Sequence, residues 1–311
     1  MRASPPPDHP PAFRSLQRRF PLMGGQGELQ LVGERPAELE RAADAAIAEA
    51  LRIEQRFSRY RAASIVSRIN AAAGGTEPVE VDDETASLLH FAAQLHAQSA
   101  GRFDITSGVL RQAWDFRRAE RPDERLLQAL CGRIGWDRVE WDGRAIRLPE
   151  AGMEIDFGGF GKEYAADRCA ALLVEQGCDR GFVNLGGDLR VIGPPPDGSA
   201  WRLGIQHPRR PSETIASMDL AQGALATSGD YERFIEVDGA RYCHILDART
   251  GWPVRHWQSV SVVAPLCVAA GALATIAMLM GEAAPGWLDA QGADWLAVGP
   301  DGRLQGAAAT A

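Results

Sequence analysis

The residue types best suited to chemistry are concentrated in residues 156–162, Asp-Phe-Gly-Gly-Phe-Gly-Lys. A strand end, three glycines and a helix start make an anion site. Glycine lets the backbone approach a phosphate, and a helix N-terminus offers free N–H groups at the positive end of its dipole. Lys162 adds a compact ammonium, and it is the sole lysine among 33 basic residues. An ammonium and a guanidinium are not interchangeable at a crowded site. The segment is neither a GxxxxGK[ST] loop nor a GxGxxG fingerprint. A tight strand-to-helix turn accounts for it as well as a phosphate cradle does.

Five further clusters follow the same logic, each with a plainer structural alternative. Asn184-Leu185-Gly186-Gly187-Asp188 is a glycine pair after a strand, and also an ordinary bulge or turn. Ala226-Thr227-Ser228-Gly229-Asp230 offers small hydroxyls to a ligand, and reads equally as a polar turn. His244, Asp247, Arg249 and Thr250 stand together in a segment that begins as a strand and ends in a turn. A histidine with charged neighbours suits acid–base work. Gly101-Arg102-Phe103-Asp104-Ile105-Thr106 reads as a surface turn with an ion pair. Tyr60, after Phe57-Ser58-Arg59, is suited to stacking on a flat ring or to a half-buried packing role.

Positioning these residues requires a folded core. Apolar spacing predicts helices over residues 36–57, 85–99, 122–134, 162–176 (closed by Gly177) and 270–280. Strands are expected at residues 29–32, 182–184, 189–192, 201–205, 215–220, 233–237, 259–263 and 295–298. A hairpin is expected across Asp142-Gly143, and a turn at Asp238-Gly239. Interspersed strands, helices and hairpins favour α+β with a mainly antiparallel sheet. Residues 1–18 are Pro-rich and read as disordered, which leaves 19–305 as a single domain.

The 311 residues carry a net charge of −8, which argues against a nucleic-acid partner. Five cysteines without CxxC spacing read as reduced, mostly buried thiols. Residues 260–280 are apolar but interrupted by Pro265 and Gly271, so a strand followed by a helix is expected rather than a membrane span. The N-terminal stretch lacks an apolar run, and a cytoplasmic protein without membrane insertion is expected.

Taken together and in order, FSRY…SRIN, GRFDIT, EIDFGGFGKEYAAD, FVNLGGDLRVIG, ALATSGDYERF, HILDARTGWPV and SVSVVAP…ALATIAMLMG resemble the FAD:protein FMN transferase (ApbE) family over about residues 20–300. The resemblance implies two interleaved β-rich halves with packed helices and FAD in the cleft between them. It implies Mg²⁺-dependent movement of FMN from FAD to a threonine hydroxyl of a partner protein, with release of AMP. It also assigns residues. Met23, Tyr60, Arg102, Phe103, Asp104, Asp156, Lys162, Ser228, Gly229 and Ile245 would contact FAD, with Asp104 on an adenine or ribose edge. His244 would act as acid–base or positioning group, with Lys162 beside the phosphates.

One departure concerns the metal. The family pattern A-D-A-L-x-T supplies an Asp and a Thr to Mg²⁺, together with a backbone carbonyl of the glycine-rich segment. Here it reads Ala270-Gly271-Ala272-Leu273-Ala274-Thr275, so Thr275 and the Gly159 carbonyl remain while Gly271 stands at the Asp position. Mg²⁺ ordinarily keeps one or two carboxylates. Asp188, Asp230 and Asp247 are the acids expected to compete for the role. Gly271 also raises the alternative of a non-catalytic FAD carrier or chaperone; an FAD pyrophosphatase, with water in place of the threonine, is a third reading. The acceptor expected of a transferase is a protein carrying a Thr-containing flavinylation motif.

Overall fold

A computed structural model describes residues 13–306. Its centre is an eight-stranded antiparallel sheet in the spatial order Arg14–Leu22, Gly25–Gly33, Gly181–Leu185, Asp188–Gly193, Gly223–Gly229, Ser259–Ala264, Asp294–Val298, Leu304–Gln305. The chain leaves this sheet after Gly33 and returns at Gly181. The intervening segment carries two of the helices packed on the sheet, and its residues between Arg102 and Arg118, with those flanking the hairpin Phe234–Val237/Ala240–Cys243, line a cleft. The α+β class and the mainly antiparallel pairing agree with the sequence reading.

Strand alternation divides the core in two. Ala224 and Ala226 face a helical layer, while Leu225 between them faces the ribbon Trp201–His207/Arg210–Leu220 on the opposite side. The helical layer is built from Pro36–Phe57, Gly161–Glu175 and Cys267–Met280. In the first of these, Leu39, Ala42, Ala43, Ala46, Ala50, Ile53 and Phe57 are buried at helical spacing. Its alanine-rich stripe lets the neighbouring helix approach closely. The helix Cys267–Met280 is apolar nearly all round because sheet and helices surround it. With the turn and short helix that follow, Cys267–Ala290 is long and apolar enough to cross a membrane. In this structure much of that stretch is packed into the core.

Three expectations are corrected. Residues 14–18, expected to be disordered, begin the edge strand Arg14–Leu22, paired in full register with Gly25–Gly33; residues 1–12 lie outside the described residues. The stretch read as a polar turn around Ser228 is the interior strand Gly223–Gly229, flanked by Asp188–Gly193 and Ser259–Ala264. Arg102–Thr106 is not a surface turn: Phe103, Asp104, Ile105 and Thr106 are buried.

Candidate functional site

The cleft has a volume of about 1230 Å³. That exceeds the roughly 300–1000 Å³ typical of drug-sized ligands and suits an extended one. Lining it are residues from every cluster singled out in the sequence, including Met23, Tyr60, Arg102, Lys162, Ser228, His244 and Thr275.

One wall is backbone. Met23-Gly24 and Gly186-Gly187 are the two-residue loops of adjacent hairpins, closing on the pairs Leu22–Gly25 and Leu185–Asp188. All four residues have positive φ (49°, 76°, 65° and 98°), the requirement of a type I′ turn. For Met23 this left-handed conformation costs roughly 1–2 kcal/mol. The two turns are locked together, since the Gly186 N–H donates to the Gln26 carbonyl at 3.0 Å.

Beside them Lys162 enters on the first turn of Gly161–Glu175. Its Nζ donates to Asp188 Oδ2 at 3.0 Å and lies 3.5 Å from where a Cβ on Gly186 would stand. Partial burial works against the ammonium, but Asp188 and Glu163 outweigh it and hold the Lys162 pKa above its ordinary value. Burial holds the Asp188 carboxyl above its own ordinary range despite Lys162. The two tendencies oppose one another, and the 3.0 Å contact is that of an ion pair.

Asp156 pairs with Arg59 at 3.0 Å and accepts from the Gly158 N–H at 3.1 Å, so its carboxylate braces the glycine loop. Gly159 is pressed against the Phe103 ring, where a Cβ would come within 2.8 Å of Cζ. The Arg59 guanidinium also lies over the Tyr60 ring, 5.1 Å from its centroid. Tyr60 itself is 74% exposed on the rim, an open face for stacking.

Asp104 reaches the cleft differently from expectation. Its Oδ1 accepts from the N–H and hydroxyl of Thr106 at 2.7 and 2.6 Å, and its Oδ2 accepts from the Trp136 N–H at 2.9 Å. Both oxygens are therefore engaged within the protein, and the carboxylate anchors the Arg102–Thr106 segment where it lines the cleft. Arg102 lines the cleft with a buried Nε that has no partner among the described residues.

His244 follows the strand Ala240–Cys243, its N–H donating to the Arg233 carbonyl at 2.9 Å. The imidazole is solvent-accessible, yet the cleft wall rises around it. Desolvation first, and then the charges of Arg233 and Lys162, push its pKa down to about 4. The ring is thus neutral near pH 7 and free to accept a proton. Ile245 is buried directly after it.

Opposite, the helix Cys267–Met280 presents Gly271 and Thr275, one turn apart on one face. The Thr275 hydroxyl is 2.8 Å from that of Ser228, while Gly229 ends the same strand. This helix is held by the one that carries Lys162. Asp167 accepts from the N–H groups of Cys267 and Val268, each at 2.9 Å, capping the N-terminus, and also pairs with Arg190 at 3.1 Å.

Of the acids expected near the metal position, Asp188 pairs with Lys162, Asp230 with Arg209 at 2.6 Å, and Asp247 with Arg249 at 2.6 Å. The acid that faces Gly271 is one the sequence reading passed over, Glu163. It lines the cleft, is 6% exposed, and leaves Oε2 without a hydrogen-bond partner among the described residues. Burial first, and then the charge of Asp188, raise its pKa well above the carboxylate range. Its only sequence signal is adjacency to Lys162. Among the described residues no three His, Cys, Asp or Glu side chains are gathered as a metal-binding group.

This arrangement matches known proteins along almost its whole length. The ApbE family matches residues 23–297. The FAD:protein FMN transferase of Vibrio cholerae is 32% identical over 236 residues, covering 74% of this chain and 70% of that protein. The FAD:protein FMN transferase of Treponema pallidum is 30% identical over 320 residues, covering 95% and 87%. Among solved structures, the ApbE protein of Thermotoga maritima superposes with a TM-score of 0.88 at 31% identity, covering 94% of this chain and 97% of that one. The flavin transferase ApbE of Vibrio cholerae gives 0.85 at 26% identity, covering 96% and 98%. With the match running from the Met23 turn through the last long strand of the sheet, the chain belongs to the ApbE family.

Proposed function

We propose that this protein is an FAD:protein FMN transferase that moves FMN from FAD to a threonine hydroxyl of an acceptor protein. The observation that carries the reading is the convergence, in one cleft, of the glycine loop at Gly158-Gly159, the Lys162 ammonium and the His244 imidazole. In the reaction a bond forms between the threonine oxygen and the phosphorus of the FMN half. The bond from that phosphorus to the AMP oxygen breaks, and AMP departs as a phosphate monoester. His244, uncharged before the step, takes the hydroxyl proton. Lys162, fixed by Asp188, offers positive charge to phosphate oxygens. Tyr60 and Met23 hold ring and backbone faces of the nucleotide, and Ser228 and Ile245 line the same cleft.

The residues present also fit a hard divalent cation such as Mg²⁺. A buried Glu163 carboxylate oxygen lacks a partner among the described residues, and that carboxylate fills the space beside Gly271, one helical turn from Thr275. Thr275 and the Gly159 carbonyl would be among its ligands, and the ion would neutralise charge on the pyrophosphate.

The test is to incubate the full chain with FAD, Mg²⁺ and an acceptor bearing a D-x-x-T-[SG]-A segment, then to look for covalent flavin fluorescence on a denaturing gel. Fluorescence that requires metal is the expected result. FAD that binds without being consumed would make the protein a carrier, and AMP release without labelling would make it a pyrophosphatase. Absence of FAD binding refutes the whole reading.

A further inference from the structure

We infer that Glu163 supplies the carboxylate that holds a divalent cation in this protein, reaching from its own helix into the space left by Gly271 on the facing one. The identity of the cation rests on the transferase reading; the geometry does not. A side chain at position 271 would start with a Cβ 2.5 Å from Glu163 Oε1, 2.6 Å from Cγ and 2.8 Å from Cδ. The Glu163 carboxylate therefore occupies the place where an acid grown from residue 271 would begin, one turn from Thr275 on the same helix face. Glycine at 271 is what makes room for it.

Three observations point the carboxylate at a ligand rather than at the protein. It is more than nine-tenths buried yet borders the cleft. Its Oε2 has no hydrogen-bond partner among the described residues, and Glu163 enters none of their ion pairs. Its neighbour Lys162 is committed to Asp188, and Asp230 and Asp247 are committed to arginines. A buried carboxylate is ordinarily paired or bound to metal, because desolvating it alone is costly. The Asp167 cap fixes the two helices against each other, so donors from both meet at a set distance. Carboxylate, hydroxyl and backbone carbonyl are the oxygen donors a hard cation takes, with water or phosphate oxygens completing the shell.

The probe is Mn²⁺, read by the electron paramagnetic resonance signal of the free ion, with the full chain saturated in FAD. Glu163→Gln, which keeps the shape and removes the charge, is expected to weaken Mn²⁺ by about 10–100-fold or more. FAD affinity measured without metal by flavin fluorescence should stay as in the parent. The double variant Glu163→Ala/Gly271→Asp, which returns the acid to the facing helix, is expected to recover most of the affinity. It guards against a fold defect in the single variant. Mn²⁺ binding that Glu163→Gln leaves unchanged overturns the inference, and so does a parent protein that binds FAD but no Mn²⁺. The transferase reading fails on a separate result, absence of FAD binding by the parent.

Discussion

The contact between Gly271 and Glu163 makes a stability experiment whose sign changes with background. Gly271 lies inside the helix Cys267–Met280, where glycine to alanine ordinarily stabilises by roughly 0.5–1 kcal/mol. Here the new methyl would fall 2.5–2.8 Å from three Glu163 atoms, closer than real Cβ contacts come. Overpacking of this kind costs about 1–3 kcal/mol. Glu163 can relieve part of it by swinging its tip into the cleft, which favours the lower end. Gly271→Ala is therefore expected to destabilise the parent by about 0–2.5 kcal/mol, the difference of those two terms. All three offending atoms lie beyond the Glu163 Cβ, so Glu163→Ala removes them together. In that background Gly271→Ala should stabilise by roughly 0.5–1 kcal/mol, which makes the coupling between the sites about 1–3 kcal/mol. Urea denaturation of the four proteins, with unchanged m-values, measures it; a parallel thermal scan should show shifts of about 2–4 °C per kcal/mol or slightly less for a chain this long. If Gly271→Ala moves stability equally in both backgrounds, the two side chains do not compete for that space and the reasoning is wrong.

Other consequences are open to direct measurement. The His244 imidazole should titrate with a midpoint near pH 4 in ¹³C-labelled protein without FAD, assigned by loss of its signal in His244→Asn. Depressing the pKa of a base extends its neutral form toward acid, so transfer should not lose its base between pH 7 and 5.5; a midpoint at the ordinary value near 6.5 contradicts this. Lys162→Met should weaken FAD binding by about tenfold or more, since one charge-assisted contact is worth roughly 1.5–3 kcal/mol, and Lys162→Arg should not fully rescue it because a planar guanidinium does not reproduce the point charge of an ammonium held at 3.0 Å from Asp188. Asp167→Ala should cost about 2 kcal/mol in urea denaturation by uncapping the helix that starts at Cys267 and stranding Arg190. An unchanged midpoint would mean that the cap does not hold the helix.

Much of the frame is legible in the residues because its signals are local. The helix Gly161–Glu175 announces itself by glycines before it and Gly177 after it, and the hairpin at Asp142-Gly143 by its turn residues. The strand Gly223–Gly229 was not legible. Ala, Ser and Gly carry little strand preference and outweigh the single Thr227, and it is a strand because neighbours pair with it on both sides. The edge strand Arg14–Leu22 was obscured by the proline-rich residues before it. At the site, residue types near the glycine loop pointed to the right cleft, but commitments between side chains did not show. Asp104 looked available and is engaged by Thr106 and Trp136, whereas Glu163 looked like one helix charge among many. Its relation to Gly271, more than a hundred positions later in the chain, exists only after two helices pack.

The paired I′ turns bear on how this scaffold tolerates editing. Because the Met23-Gly24 and Gly186-Gly187 wall is main chain, exchanging a side chain there reshapes it little, whereas changing the number of residues undoes it. One residue added to the Met23-Gly24 loop must be absorbed as a bulge or as a slip of the hairpin, and a slip by one turns every side chain of the strand over. Leu29 and Leu31, both wholly buried, would exchange places with Glu28 and Gln30. Insertions, permuted termini and reporter tags should therefore fail at these loops. They should be accepted at Asp197-Gly198, where the chain is exposed and the glycine has open space around it. For anyone building on this fold, loop length at the mouth is the parameter to leave alone.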